Sequence, residues 1–222
     1  MSDLRQIYQM LFKHYGPQHW WPGDSPFEIM VGAVLTQNTA WTNVEKAIQN
    51  LKNANALTIE SITASSTEAL ATWLKPSGYF NVKEKRLRSL CQWIVSQGGE
   101  KELRTWDSKK LRDALLAVHG IGPETADDIL LYAFERPVFV IDTYTRRIFS
   151  RLGLIAGDES YENLRQLFES AMQADVETMN EFHALIVIHG KDVCRKSARC
   201  ETCCLNETCR SAFSSQRNVE MS

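Results

Sequence analysis

An all-α fold is predicted on three observations. Apolar residues recur at helical spacing along most of the chain, helix-start signals stand just ahead of those stripes, and the only strand-like run is four residues long. The first segment, MSDLRQIYQMLFKHY, carries apolar residues at helical spacing. Ser25-Pro26-Phe27-Glu28 then offers an N-cap, a proline at the first helical position and a capping-box glutamate. The stripe Phe27, Met30, Val31, Val34 and Leu35 follows, so a helix is expected to start there. A second stripe runs through Leu87, Leu90, Cys91 and Ile94, and a third through Tyr161, Leu164, Phe168 and Met172. The run Val138-Phe139-Val140-Ile141 suits a short strand or an extended connector equally well. Turn signals such as Pro76-Ser77-Gly78 and Gly153 are short, and no internal repeat interrupts the pattern. The last dozen residues, SAFSSQRNVEMS, read as a frayed tail.

The 222 residues are enough to bury a real core, and 44% hydrophobic with 23% charged residues is ordinary globular usage. No apolar run approaches the roughly 20 residues of a membrane helix. The N-terminus has no basic start, apolar block or cleavage site. A soluble cytoplasmic protein without membrane partners is therefore expected. The formal net charge of -2 gives no global sign of a nucleic-acid partner, so a case for DNA must rest on local features. Five of the six cysteines crowd between Cys194 and Cys209, which in a reducing compartment points to a metal rather than to disulfides.

From Leu115 the chain reads LLAVHGIGPETADDILLYAFERPVFVIDTYTRRIF. A helical pattern up to Val118 is followed by the hairpin His119-Gly120-Ile121-Gly122 and a second helix from about Pro123. Glycines let such a hairpin turn sharply, and the helix N-terminus behind it can bind a phosphate oxygen. A plain αα-turn is the alternative for Gly-x-Gly alone. Asp142 comes twenty residues after Gly122, behind the apolar run; it can serve a reaction, cap the helix through Arg146, Ile148 and Phe149, or do both.

Hairpin, Gly/Pro-containing helix start and aspartate together resemble the helix-hairpin-helix, Gly/Pro-rich loop, aspartate signature of the endonuclease III superfamily of DNA glycosylases. Other superfamily segments fall in the same order, with Gly32-Ala33-Val34-Leu35-Thr36-Gln37-Asn38-Thr39 early and His189-Gly190-Lys191 late. The resemblance implies a two-lobed fold, double-stranded DNA with a damaged base as partner, nucleoid association when DNA is bound, and a monomer. It also implies that Asp142 is catalytic. In bifunctional members a lysine two residues after the second hairpin glycine attacks the sugar; that position is Glu124 here, and no lysine lies between His119 and Asp142. A monofunctional enzyme without lyase activity is expected. A carboxylate near the sugar can stabilise an oxocarbenium-like state and orient water, and a cationic alkylated purine leaves without much acid assistance.

Within the superfamily the chain is most similar to the endonuclease III-related 3-methyladenine DNA glycosylases, on Trp20-Trp21-Pro22, the segment from Val31 to Thr39, Pro76-Ser77-Gly78-Tyr79, the hairpin with Glu124, and His189-Gly190-Lys191. That likeness implies that Trp20 and Trp41 stack on the flipped base while Trp21, Pro22, Glu124 and Lys191 line its pocket. Trp41 stands where the subfamily has phenylalanine. Core packing is the plain alternative for either tryptophan. The resemblance further implies DNA contacts at Gln37, Gly120, Ile121, Gly122 and Thr125, with Gln37 filling the gap left by the extruded nucleotide. Basic residues Lys83, Lys85, Arg86, Arg88, Arg146, Arg147, Arg195 and Arg199 suit either a DNA-facing side or solvated helix faces.

Cys194, Cys200, Cys203 and Cys209 are separated by five, two and five residues. The superfamily's single-loop [4Fe–4S] pattern is six, two and five, so a [4Fe–4S] cluster is the reading and a four-cysteine zinc site the alternative. The short first interval and the neighbouring Cys204 leave the third ligand open between Cys203 and Cys204. Cys91, on an apolar stripe, is expected in the core.

The implied division is a central bundle from residue 26 to 136 bearing the hairpin, and a second lobe of residues 1–25 and 137–222 bearing the cysteine loop. Two other functions fit the same residues: a glycosylase for another damaged or mispaired base, and a non-catalytic lesion-binding iron–sulfur protein.

Overall fold

A computed structural model of the chain describes residues 2–173 and 175–212; from residue 213 on, the expected frayed tail lies outside the described residues. Among the described residues there is no strand, and Val138 to Ile141 form a buried extended connector. Among the described residues no helix is long and apolar enough to cross a membrane. The chain divides into two compact units, Met1–Trp21 with Pro137–Ser222, and Pro22–Arg136.

The first unit opens with α1 (Ser2–Tyr15). The second unit then contains α2 (Pro26–Leu35), α3 (Trp41–Asn53), α4 (Ile59–Ala64), α5 (Thr67–Leu74), α6 (Phe80–Ser96), α7 (Glu100–Leu103), α8 (Ser108–Leu116) and α9 (Pro123–Asp128). Returning to the first unit, the chain forms α10 (Thr143–Leu152), α11 (Tyr161–Met172) and α12 (Val176–Asp192) before the cysteine loop. Side-chain caps start many of these helices: Ser25, Ser66, Asp107, Ser160 and Asp175 each accept the N–H three residues on. The capping box at Ser25 closes by half. Glu28 accepts instead from the N–H of Asp24 and pairs with Lys52, which pulls its carboxylate past the cap.

In the second unit α2 is the central helix, with eight of its ten residues buried against α3, α6, α9 and the turn that follows α9. Helix α8 ends at Leu116, two residues before the expected Val118, and α9 continues as a π-helical turn, Ile129–Ala133. The two helices of the hairpin are joined by Arg112 and Asp127, whose two hydrogen bonds of 2.6 and 3.0 Å form a buried bidentate pair. The basic run on α6 does not form one DNA-facing surface. Lys83 is only 1% exposed and donates to the carbonyls of Leu35 and Ser77 at 2.8 and 2.6 Å; burial, aided by Arg86, lowers its pKa to about 8. Arg88 is spent on Glu84 and on the carbonyls of Ile62, Thr63 and Ser65.

The first unit has an aromatic core. Phe139 stacks on Phe168 at 4.6 Å, and Phe149 meets the same ring edge-on at 4.8 Å. Phe182 of α12 packs edge-on against Phe139 and Phe149. Helix α12 packs against α1 and α10. Gly190 permits the second of these approaches: a Cβ there would lie 2.5 Å from Cδ1 of Tyr144.

Candidate active site and cysteine loop

Asp142 is the N-cap of α10 and is 8% exposed. Its Oδ1 accepts from the backbone N–H and the hydroxyl of Thr145, at 2.7 and 2.8 Å. Its Oδ2 lies 3.7 Å from Nε2 of His183 on α12. Burial by itself pushes the carboxyl pKa up, but His183 and the two Thr145 hydrogen bonds outweigh it and hold Asp142 below the usual carboxylate value. The cap thus fixes one oxygen and leaves the other facing a histidine, an arrangement that favours the anion.

In the second unit the hairpin is shaped by one glycine more than by the other. Gly120 has φ +85°, and a Cβ there would clash with the Arg86 side chain, whereas Gly122 has an ordinary φ of -91° with open space around it. Gly122 is the N-cap of α9 and supplies no side chain to it. Gln37, on the turn between α2 and α3, is held against this hairpin. Its Nε2 donates to the carbonyl of Gly120 at 3.2 Å and to Oγ1 of Thr125 at 2.9 Å, and its Oε1 accepts from Arg86. Thr125 and Ile121 are buried, and Glu124 stands exposed in the first turn of α9.

Trp20 and Trp21 are part-buried, with ring centroids 6.1 Å apart and planes at 76°. Trp41, the first residue of α3, is part-buried and donates from Nε1 to Glu45 at 2.8 Å. Pro22 and Lys191 are exposed.

The cysteine loop is tied to α10. Arg147 donates to the carbonyls of Gly190 and Cys194, both at 2.8 Å, while Arg151 donates to Sγ of Cys194 at 3.3 Å and to the carbonyls of Arg195 and Lys196. Cys194, Cys200, Cys203 and Cys209 line one cavity of about 290 Å³, and Cys204 is not among its walls. Among the described residues no three His, Cys, Asp or Glu side chains converge tightly enough to hold a single metal ion. His189 is buried with Nδ1 2.9 Å from the Tyr15 hydroxyl and Nε2 3.5 Å from Sγ of Cys203. Cys91 is buried in the core, its pKa raised to about 12 by burial.

One site residue escaped the sequence, His183, whereas Tyr79 entered it only as the end of the segment Pro76-Ser77-Gly78-Tyr79. His183 was signalled only by being polar inside the apolar run from Phe182 to Val187. Tyr79 is 71% exposed with φ +44° at the start of α6, an aromatic left in solvent in a strained backbone position.

The sequence profile of the HhH-GPD superfamily base excision DNA repair proteins matches residues 31–174. A Methanocaldococcus jannaschii protein provisionally described as a DNA repair glycosylase is 44% identical over 211 residues, which cover 94% of this chain and 96% of that one. A 3-methyladenine DNA glycosylase of H. pylori, solved with 1,N6-ethenoadenine bound, matches with a TM-score of 0.76 at 31% identity, over 85% of this chain and 97% of its own. An endonuclease III solved in a non-covalent complex with DNA matches with a TM-score of 0.82 at 23% identity, over 97% and 98% of the two chains, a likeness of fold.

Proposed function

The chain is a base-excision DNA glycosylase of the HhH-GPD superfamily, and within it we propose a monofunctional enzyme that hydrolyses the N-glycosidic bond of an alkylated, 3-methyladenine-type base extruded from duplex DNA. The observation that carries this reading is Glu124 two residues after Gly122, with no lysine between His119 and Asp142 to form a Schiff base with the sugar.

Asp142 is the hydrolytic carboxylate of this reading. As the bond to the base lengthens, positive charge builds on the sugar, and a buried anion stabilises it without reorganising. The same carboxylate orients the attacking water and takes its proton. An alkylated purine already carries the charge that makes it a good leaving group, so no acid aimed at the base is needed. Similarity at 31% identity to a 3-methyladenine DNA glycosylase with a modified adenine bound supports the choice of base. Trp20 and Trp41 would stack on it, with Trp21, Pro22, Glu124 and Lys191 as further contacts; indole faces and a carboxylate both favour an electron-poor cation. Gly120, Ile121, Gly122 and Thr125 would grip the phosphate backbone, with Gln37 released from the hairpin to occupy the vacated stack. The enzyme acts as a monomer on double-stranded DNA in the cytoplasm.

Cys194, Cys200, Cys203 and Cys209 fit a [4Fe–4S] cluster. They line a common cavity within one short loop. These four thiolates would hold the cluster, with Cys203, which lines the cavity, rather than Cys204 as the third ligand. When bound, the cluster would supply a rigid scaffold for the loop rather than chemistry on the base.

The test is incubation of the protein with methylated duplex DNA, followed by alkali to reveal abasic sites. Wild type is expected to release methylated bases, Asp142→Asn to release none above background, and neither to nick the strand before alkali. Base release that survives Asp142→Asn would sink the mechanism, and nicking without alkali would sink monofunctionality. Duplexes each carrying one other lesion test the choice of base separately.

A further inference from the structure

We infer that His183 is a positioning residue for Asp142, holding the second carboxylate oxygen and keeping it anionic for hydrolysis. The inference rests on the reading of Asp142 as the hydrolytic carboxylate.

Three features carry it. First, the two oxygens of Asp142 are treated differently: Oδ1 is engaged by both donors of Thr145, while Oδ2 faces Nε2 of His183 at 3.7 Å. Second, His183 is 4% exposed amid buried Phe182, Ala184, Leu185 and Ile186, with the Phe139 ring edge-on at 6.4 Å. A polar ring in such surroundings is costly unless it answers a polar partner. Third, the two helices that carry the pair are fixed against each other. Gly190 admits the Tyr144 ring, and Arg147 of α10 donates to the Gly190 carbonyl of α12.

At 3.7 Å the pair is longer than a hydrogen bond, so it acts through charge or through the N–H dipole. Either an imidazolium or a neutral ring with its proton on Nε2 favours the anion over the protonated acid. The other groups in the field of Asp142 do not replace this role. Tyr144, on the same helix, has its hydroxyl pKa raised by burial and by Asp142 itself, and Arg147 lies over the Tyr144 ring at 5.0 Å. Thr145 is uncharged. Without His183, burial would favour the protonated carboxyl, which can neither accept the proton of water nor stabilise a cation.

The decisive experiment is a carbon-13 NMR titration of the Asp142 carboxyl in the full chain, in wild type, His183→Leu and His183→Gln, beside single-turnover base release from methylated duplex DNA. In His183→Leu the Asp142 midpoint is expected to rise by about one pH unit or more. The acid limb of base release should move with it, while DNA affinity stays within about twofold of wild type. His183→Gln keeps an N–H donor without the ring and should shift both in the same direction by a smaller amount. An Asp142 midpoint unmoved in both variants, or in the glutamine variant alone should the leucine variant not fold, overturns the inference. Asp142→Asn separates the two levels: if it abolishes base release while the midpoint does not respond to His183, only the positioning role fails. If it leaves base release intact, the hydrolytic reading fails and takes the positioning role with it.

Discussion

Asp142 and the Gly120-to-Gly122 hairpin both stand at helix N-termini, yet they are built in opposite ways. Asp142 caps α10 with its own carboxylate, is buried, and has one oxygen bound twice by Thr145 while the other faces His183. Gly122 caps α9 with no side chain at all and leaves Pro123 and Glu124 exposed. Under the proposed function, the difference follows from what each would meet. A carboxylate that stabilises a transient cation gains from being dry and immobile. A backbone grip on phosphate needs N–H groups facing outward, so the surrounding structure must hold the hairpin from behind, through Arg112–Asp127 and the Gln37 amide.

The largest effect that sharpens this contrast is on activity alone. Asp142→Asn should cost at least about 10²-fold to 10³-fold in single-turnover base release. Asparagine caps helices as well as aspartate does, so the thermal unfolding midpoint should move little. On the hairpin side the largest effect is on stability. Arg112→Met leaves the Asp127 carboxylate buried without its bidentate partner and should cost about 3–5 kcal/mol in urea unfolding. An unchanged midpoint would show that the two helices are held by packing instead.

Lys83, beneath the turn that carries Gln37, gives a pH signature. Its folded pKa of about 8 lies below the free value of 10.5, so the unfolded chain holds this proton more tightly. Its contribution is therefore fully present above about pH 10.5 and is lost as pH falls through about 8. Wild type should gain up to about 3 kcal/mol relative to Lys83→Met between those limits, read from paired unfolding curves. The smallest predicted effects separate the two glycines. Gly120→Ala forces a side chain to φ +85° and against Arg86 and should cost about 1–3 kcal/mol. Gly122→Ala meets open space at an ordinary φ and should cost only a few tenths. Equal losses at the two positions would mean that the hairpin is not shaped by Gly120.

Legibility in the sequence followed the range of the interaction. The stripe from Phe27 to Leu35, the Ser25 cap and the cap at Asp142 act within one or two helical turns, and all were readable. Lys83 was not: in a run of basic residues it looks like surface, and only the carbonyls of Leu35 and Ser77 converging on one point make it core. Arg88 misled for the same reason, since its partners are carbonyls 23 to 26 residues away. The π-helical turn after α9, which packs against α2, left no local signature.

The cysteine loop divides along the same line. Spacing alone grouped four cysteines in one loop but left Cys203 and Cys204 equivalent; in the fold Cys203 lines the cavity and Cys204 does not. By itself the sequence determined an all-α chain, the aspartate behind its hairpin, the missing lysine and the cysteine set, because residue identity and helical period are written locally. Only the tertiary structure decided that Asp142 faces His183, that Gln37 is held by the hairpin and that Lys83 is buried. Each of those pairs residues far apart in the chain, whose meeting depends on how helices pack rather than on any pattern within one of them.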